Sequence, residues 1–228
     1  MAQGPRAEYP RPAFQRSAAS WVSLNGPQWE YAVRKEAEEP PDAWDGHITV
    51  PFCLQSPLSG ASVPPRLRPP LAKGLGKREA LWYRLELPSV AKEWRRDGSR
   101  VLLHIGACDF SARVFVNAAA FPEHIGGSTP FSHDISDALG DVGAGSDVVL
   151  LCCQDRPPSD AAGELLPCGK QTGRNFSGSG PHLGTVYSNV SGIWQSVWLE
   201  RVATRTHLAG VQAVPLPPSG LVGASHRP

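Results

Sequence analysis

The chain has 228 residues, of which 41% are hydrophobic, and a formal net charge of +1 at pH 7. This length suits one large all-β domain or two small ones, and the near-zero charge leaves no electrostatic footprint for nucleic acid or an anionic membrane surface. The 23 glycines and 23 prolines favour short strands joined by turns over long helices. We therefore expect an all-β chain with no nucleic-acid partner.

Neither a membrane span nor a secretory signal is predicted. The apolar runs are too short to cross a bilayer, and the first residues, MAQGPRAEYPRP, lack the apolar core of a signal peptide. We therefore expect a cytoplasmic protein without a membrane partner. The cysteine count is odd and no CxxC pair occurs, which predicts free, mostly buried thiols. The cysteines are Cys53, Cys108, Cys152, Cys153 and Cys168.

Alternating and continuous apolar segments predict about eight strands separated by turns. The strands span residues 29–33, 47–50, 81–87, 101–106, 112–117, a segment that ends near residue 135, 148–153 and 193–200. Between them, residues 56–79 indicate a long exposed connection and residues 155–187 a Gly/Pro/Ser-rich excursion. Together the strands predict a two-sheet sandwich or jelly roll.

The side-chain pattern predicts which face of each strand lies in the core. In residues 81–87, Tyr83 and the leucines alternate with other residues and should point inward. Val114 and Val116 should also point inward, with their neighbours pointing out. The run 148–153 is apolar throughout, which is typical of a strand covered on both faces.

The strand predicted at residues 193–200 organises the rest of the chain. One of its sides carries Trp194, Ser196, Trp198 and Glu200, and the other carries Ile193, Gln195, Val197 and Leu199. Bulky side chains on both faces predict a central strand that is covered from both directions. Aromatic rings can stack on a sugar as well as fill a core, and core packing is the interpretation we favour for these tryptophans.

Motifs of the common catalytic chemistries are absent from the sequence. No GxSxG nucleophile elbow, HExxH pair or zinc-finger spacing occurs. Gly169-Lys170-Gln171 has neither the spacing nor the Ser/Thr of a phosphate loop. Most carboxylates lie in loops or on outward faces as solvated charge, and we interpret His104 as a hydrogen-bonded residue of a strand wall. We therefore expect no catalytic residue, no cofactor and no metal ligand.

Short segments carry a family resemblance through their order along the chain. They are Tyr9-Pro10-Arg11-Pro12, Leu24-Asn25-Gly26, Ile48-Thr49-Val50-Pro51-Phe52-Cys53, Trp82-Tyr83-Arg84, Val114-Phe115-Val116-Asn117, Gly169-Lys170-Gln171 and Ser191-Gly192-Ile193-Trp194-Gln195. Between residues 9 and 201 they resemble the N-terminal sugar-binding domain of glycoside hydrolase family 2, which includes β-galactosidases, β-glucuronidases and β-mannosidases. The resemblance implies a jelly-roll β-sandwich like that of galactose-binding domains, in agreement with the predicted strands.

The resemblance also implies domains that these residues do not supply. In the family, two glutamates on a (β/α)₈ barrel hydrolyse the glycosidic bond, and a barrel alone needs about 250 residues. The family's acid/base glutamate follows an asparagine, and no Asn-Glu pair occurs here. We therefore expect an arm (residues 1–13), a jelly-roll domain (14–203), and the truncated start of an immunoglobulin-like domain or a tail (204–228). The implied partners are a β-glycoside and the family's immunoglobulin-like and barrel domains.

Three positions and one stretch depart from the family's pattern. Gln55 stands where Glu is common, Cys168 where Arg often precedes Gly-Lys-Gln, and Asn189 where Arg often precedes Val-Ser-Gly. Residues 117–121 replace a tight Asn-Gly turn, so we expect a longer hairpin there. Three of these changes remove a charged side chain, which fits a different substrate or a relaxed constraint.

Three functions are compatible with this sequence. The chain is the sugar-binding domain of a family 2 exo-glycosidase that is non-catalytic by itself, a carbohydrate-binding module that acts alone, or a degenerate scaffold domain without a ligand. If residues of this chain contact a sugar, we expect them among the polar side chains of the excursion and its return. These residues are Asp155, Lys170, Gln171 and Asn189, as hydrogen-bond partners of sugar hydroxyls.

Overall fold

The computed structural model describes residues 20–35, 38–69, 72, 74–76, 78–155 and 188–203, which form antiparallel strands with short helical turns. The strands are β1 (Trp21–Ser23), β2 (Gly26–Lys35), β3 (Gly46–Val50), β4 (Glu79–Glu86), β5 (Arg100–Ile105), β6 (Cys108–Asp109), β7 (Ser111–Val116), β8 (Ala119–Ala120), β9 (His124–Ile125), β10 (Phe131–Asp134), β11 (Val148–Gln154), β12 (Gly192–Ile193) and β13 (Val197–Val202). The helix α1 (Val90–Glu93) continues into a 3₁₀ turn, Trp94–Asp97. Further 3₁₀ turns are Pro57–Ser59, Pro65–Leu67 and Ser136–Ala138.

Two sheets form the layers of a sandwich. In the four-stranded sheet the order is β1-β13-β5-β10, and in the seven-stranded sheet it is β3-β2-β4-β11-β7-β8, with β9 also paired to β7. The short strands β12 and β6 pair separately. All these pairings are antiparallel. The predicted all-β, jelly-roll type of sandwich is confirmed.

The main core lies between the two sheets and follows the predicted alternation. Tyr83 in β4 and Val114 and Val116 in β7 are buried there, as the alternation in those strands predicted. Trp82, one residue away from Tyr83, belongs instead to a second buried cluster on the other face of the seven-stranded sheet. That cluster also contains Ala32, Ala80 and Cys152. The run predicted at 148–153 is therefore covered on both faces, since Cys152 and Cys153 belong to different clusters.

The single strand predicted at residues 193–200 is wrong in one respect. β13 lies between β1 and β5, as expected of a central strand, but the chain breaks before it. Ile193 pairs with Cys108 in the two-stranded sheet, whereas Val197 pairs with Ile105 in the four-stranded sheet. The break follows from two backbone hydrogen bonds to the connector after β5. Trp194 N–H donates to Ala107 O (3.2 Å), and Gly106 N–H donates to Ser196 O (2.9 Å). A period of two cannot reveal such a change of partner.

The connection predicted as exposed at residues 56–79 is partly buried. Val63, Leu67 and Leu75 belong to the main core, and Leu67 and Leu75 are fully buried. The Pro-rich composition predicted a solvent-facing loop, but the 3₁₀ turn Pro65–Leu67 and the residues on either side of it place Val63, Leu67 and Leu75 under the loop. Burial of these side chains removes apolar surface from water and so attaches the connection to the sandwich.

The longer hairpin expected at residues 117–121 is also wrong. Val116 pairs with Ala119, so the turn between β7 and β8 consists of Asn117 and Ala118 alone. Asn117 adopts φ = 51°, a left-handed conformation that asparagine tolerates better than most residues. Its side chain accepts from Val148 N–H at 3.0 Å and donates to Asp147 Oδ1 at 2.9 Å, which holds the turn against β11.

A glycine pair tests the packing of β12 against β4. Gly192→Ala should destabilise the fold by more than about 3 kcal/mol, because the added methyl would lie 2.1 Å from Tyr83 Oη and φ is +91°. Gly143→Ala keeps the same φ of +91° with no atom within 4 Å of the methyl, so it should cost only about 1 kcal/mol. Urea unfolding of both variants measures the difference, and equal losses would contradict the described contact.

Candidate functional site

Several chain segments meet at one end of the sandwich, which we call the loop end. It comprises residues 53–55, 72, 74, 106–110, 155 and 188–194. Backbone hydrogen bonds join the segments: Leu54 N–H donates to Ser191 O (3.1 Å), and Asn189 N–H donates to Ala72 O (3.0 Å). Asp155 and Ser188, which flank the rest of the predicted excursion, both lie at this end.

A buried hydrogen-bond chain runs through Gln55, Ser191 and Asp155. The Ser191 backbone N–H donates to Gln55 Oε1 at 2.9 Å, and Gln55 Nε2 donates to Ser191 Oγ at 2.9 Å. Ser191 Oγ in turn donates to Asp155 Oδ2 at 2.6 Å. Gln55 is 3% exposed and Ser191 is fully buried, so these polar groups satisfy one another away from water.

The carboxyl group of Asp155 binds its proton more tightly than an ordinary aspartate does. Burial raises its pKa to about 7, the hydrogen bond from Ser191 partly opposes the rise, and the nearby negative charge of Asp109 adds to it. The same carboxyl group contributes to raising the pKa of the fully buried Cys153 thiol, for which burial is the main cause. A carboxyl group that titrates near neutral pH, with hydrogen-bonding neighbours, is the chemically distinctive feature of the loop end.

Asn189 lies beside Asp155, and both face Gly74. A methyl group added at Gly74 would lie 2.9 Å from Asn189 Nδ2 and 3.1 Å from Asp155 Oδ2, so only a glycine leaves room for this approach. Asn189 is 5% exposed. The side chains of Asp155 and Asn189, which are 34 positions apart by their residue numbers, thus converge on one backbone surface.

A turn between β9 and β10 closes the other side of the loop end. Trp194 Nε1 donates to Gly127 O at 2.7 Å, and a methyl group added at Gly127 would lie 2.3 Å from Asp109 Oδ1. Trp194 and Asp109 are both half-buried. The indole ring therefore positions this turn through a hydrogen bond as well as by packing.

The structure brings two of the four predicted sugar-contact residues together. Asp155 and Asn189 share the loop end, whereas Lys170 and Gln171 lie outside the described residues, as does Cys168. Sequence reasoning named Gln55 as a departure from the family's pattern without giving it a role, and it missed Ser191. The pairing of these two residues spans 136 positions, so no local motif could have indicated it.

The described residues hold no group of three side chains suited to a metal ion. Burial raises the pKa of the Cys53 thiol and raises that of Cys152 to about 11, so neither of these two thiols is activated. Cys53, Cys108, Cys152 and Cys153 are free cysteines, as predicted. No helix in the described part of the chain is long and apolar enough to cross a membrane.

His104 and Trp198 lie on the outer face of the four-stranded sheet, away from the loop end. Their rings stack with centroids 4.7 Å apart and an interplanar angle of 6°. His104 Nε2 lies 2.8 Å from Glu200 Oε2, which is an ion-pair distance when the ring is protonated, although the angle does not satisfy a hydrogen bond. This face is a packed wall of the sheet.

Comparison with known proteins gives a local sequence match and a wider match of fold. No protein-family model matches the chain. Over 57 residues the chain is 42% identical to the β-glucuronidases of Canis lupus familiaris and Felis catus, a match that covers 25% of this chain and 9% of each relative. The chain thus matches only a small part of the length of these curated relatives.

Solved structures of glycosidases share the fold over a larger region. The β-glucuronidase of Ruminococcus gnavus matches with a TM-score of 0.52 at 20% identity, covering 80% of this chain and 28% of that one. The same enzyme in complex with C6-substituted uronic isofagomine matches with a TM-score of 0.51 at 20% identity, covering 78% and 28%. At this identity the likeness shows that the sandwich of this chain has the fold of a region of those enzymes.

The titration of Asp155 predicts a specific pH dependence of stability. Because the folded state raises the pKa of this carboxyl from the ordinary 3.8 to about 7, its contribution is most favourable below about pH 4 and is lost as the pH rises towards 7. Asparagine cannot ionise, so the unfolding free energy of Asp155→Asn relative to that of the wild type should rise by about 1–3 kcal/mol from pH 5 to pH 8. Denaturant unfolding at the two pH values measures the gain.

Asp97→Asn is the matched control for this measurement. Hydrogen bonds from Ser99 lower the pKa of Asp97, so its stabilising contribution is present above pH 4 and is lost only in stronger acid. This variant should change stability equally at pH 5 and pH 8. If the difference in unfolding free energy between the wild type and Asp155→Asn is the same at both pH values, the raised pKa of Asp155 is refuted.

Proposed function

We propose that this chain is the N-terminal carbohydrate-binding domain of a family 2 exo-glycosidase. The observation that carries the proposal is the 42% identity over 57 residues to two curated β-glucuronidases. The ordered motifs of the sequence and the sandwich fold support it. The domain extends over residues 14–203 in this proposal, between an arm and the start of an immunoglobulin-like domain or a tail.

The domain binds the sugar and leaves hydrolysis to other parts of the enzyme. A (β/α)₈ barrel needs about 250 residues, more than this chain contains, and the described residues form the strands, short helical turns and loops of a sandwich. Its partners are therefore a β-glycoside and the immunoglobulin-like and barrel domains of the family.

Four polar side chains hold the sugar in this proposal: Asp155, Lys170, Gln171 and Asn189. The convergence of Asp155 and Asn189 beside Gly74 supports it, because sugar hydroxyls are recognised by carboxylate and amide groups in a fixed arrangement. Lys170 and Gln171 belong to the excursion that joins Asp155 to the 188–194 segment. Each of these side chains carries hydrogen-bonding groups of the kind that pair with sugar hydroxyls.

Isothermal titration of the full chain with methyl β-D-glucuronide, β-D-galactoside and β-D-mannoside tests the binding. We expect millimolar or tighter affinity for one of the three. The double variant Lys170→Ala/Gln171→Ala should weaken that affinity about tenfold, the size expected from losing a hydrogen bond to a charged donor. Lys35→Ala, at the exposed end of β2, is the control and should bind as the wild type does. Absence of heat with all three glycosides would refute the proposal.

A second assay concerns hydrolysis. The purified chain should release no nitrophenol from nitrophenyl β-glycosides, because it supplies no pair of catalytic glutamates in this proposal. The boiled chain provides the baseline. Turnover above that baseline would show that the chain carries its own catalytic groups.

A further inference from the structure

One backbone group determines the direction of every hydrogen bond between Gln55 and Asp155. The Ser191 backbone N–H can only donate, so the atom 2.9 Å away on residue 55 is the amide oxygen. The Gln55 amide is thereby oriented with its NH₂ group towards Ser191 Oγ, at 2.9 Å. The Ser191 hydroxyl oxygen therefore receives a hydrogen bond from residue 55.

The hydrogen of the Ser191 hydroxyl group has one acceptor among the described residues. A serine hydroxyl carries a single hydrogen, and Asp155 Oδ2 lies 2.6 Å from Ser191 Oγ. Asp155 Oδ2 is then an acceptor whether the carboxyl group is ionised or neutral. When Asp155 binds a proton, that proton resides on Oδ1.

We propose that Gln55 and Ser191 are positioning residues that make Asp155 a pH-dependent partner of a sugar hydroxyl, donating through Oδ1 when neutral and accepting there when ionised. This inference rests on the proposed carbohydrate-binding function and names how one of its residues would act. Protonation of a carboxyl group exchanges an acceptor for a donor without moving the side chain. The chain thus acquires a binding group whose hydrogen-bonding character changes with pH.

The surroundings of Asp155 are consistent with a change near neutral pH. Burial raises the pKa of Asp155 to about 7 against the hydrogen bond from Ser191, and the negative charge of Asp109 from β6 adds to the rise. Cys153 from β11 and Cys53 from the 53–55 segment have raised pKa values because they are buried, so both thiols are neutral there. Gln55 and Asn189 carry no charge. Acidification through neutral pH therefore converts Asp155 while these thiols keep their protons.

The chemistry of residue 55 explains why an amide matters at this position. An ionised glutamate at position 55 would only accept hydrogen bonds. The Ser191 hydroxyl has one hydrogen, so it could donate to residue 55 or to Asp155 but not to both. A neutral glutamate could replace the amide, but it would then compete with Asp155 for a proton. Gln55 gives the same geometry with no proton to lose.

Carboxyl carbon NMR of Asp155 as a function of pH tests the inference without any sugar. Ser191→Ala removes the donor that favours the ionised form, so Asp155 should become a roughly tenfold weaker acid. Gln55→Glu should couple the two carboxyl groups, so that the Asp155 signal titrates in two steps instead of one.

Ser136→Ala is the matched control. Ser136 Oγ also donates to an aspartate at 2.6 Å (Asp134 Oδ1), and Ser136 is 1% exposed, so the variant reproduces the loss of a buried serine–aspartate bond elsewhere in the sandwich. Its Asp155 signal should titrate as in the wild type. If Asp155 titrates identically in the wild type, Ser191→Ala and Gln55→Glu, the positioning role is overturned.

The effect on ligand binding is measured separately with whichever of the three methyl glycosides binds. Its affinity for the wild type should change at least threefold between pH 5.5 and pH 8, and the change should be absent in Asp155→Asn. An unchanged wild-type affinity overturns the inference about the sugar. Shifted titrations together with no binding of any glycoside at either pH overturn the proposed function and leave the hydrogen-bond chain standing.

Discussion

The reciprocal hydrogen bonds between Gln55 and Ser191 join two parts of the chain that lie 136 residues apart. Once Ser191 is held beside the 53–55 segment, Ile193 N–H reaches the Tyr83 hydroxyl at 3.1 Å and β12 pairs with β6. The chain then crosses to β13, which lies inside the four-stranded sheet. Closure of the sandwich therefore depends on a polar contact at one end of an apolar core.

A polar contact of this kind contributes to stability mainly through what its loss would leave behind. A buried backbone N–H without an acceptor costs about 1–3 kcal/mol, whereas the net gain from a satisfied hydrogen bond is about 1 kcal/mol. Gln55 pairs with the backbone N–H and the hydroxyl oxygen of Ser191, and Asp155 accepts the hydroxyl hydrogen. The same groups that hold the last strands in place also orient the carboxyl group of Asp155, which we propose as a sugar contact.

The strand pattern was predictable because its cause is local. Alternation of apolar residues in β4 and β7 follows from side chains that point to opposite faces of a strand, and it identified which residues enter the core. The break between Ile193 and Val197 was not predictable, since both residues are apolar and continue the same alternation. Only hydrogen bonds to the connector at Gly106 and Ala107 separate them into two strands.

The sequence by itself determined the fold class and the central position of the last long strand. Periodicity and turn residues carry that information because they act over a few neighbouring positions. The tertiary structure alone decided that Gln55 and Ser191 meet, that Gly74 leaves room for Asp155 and Asn189, and that burial raises the pKa of Asp155 to about 7. These features depend on distances between remote segments and on exclusion of water, and neither quantity exists until the chain has closed.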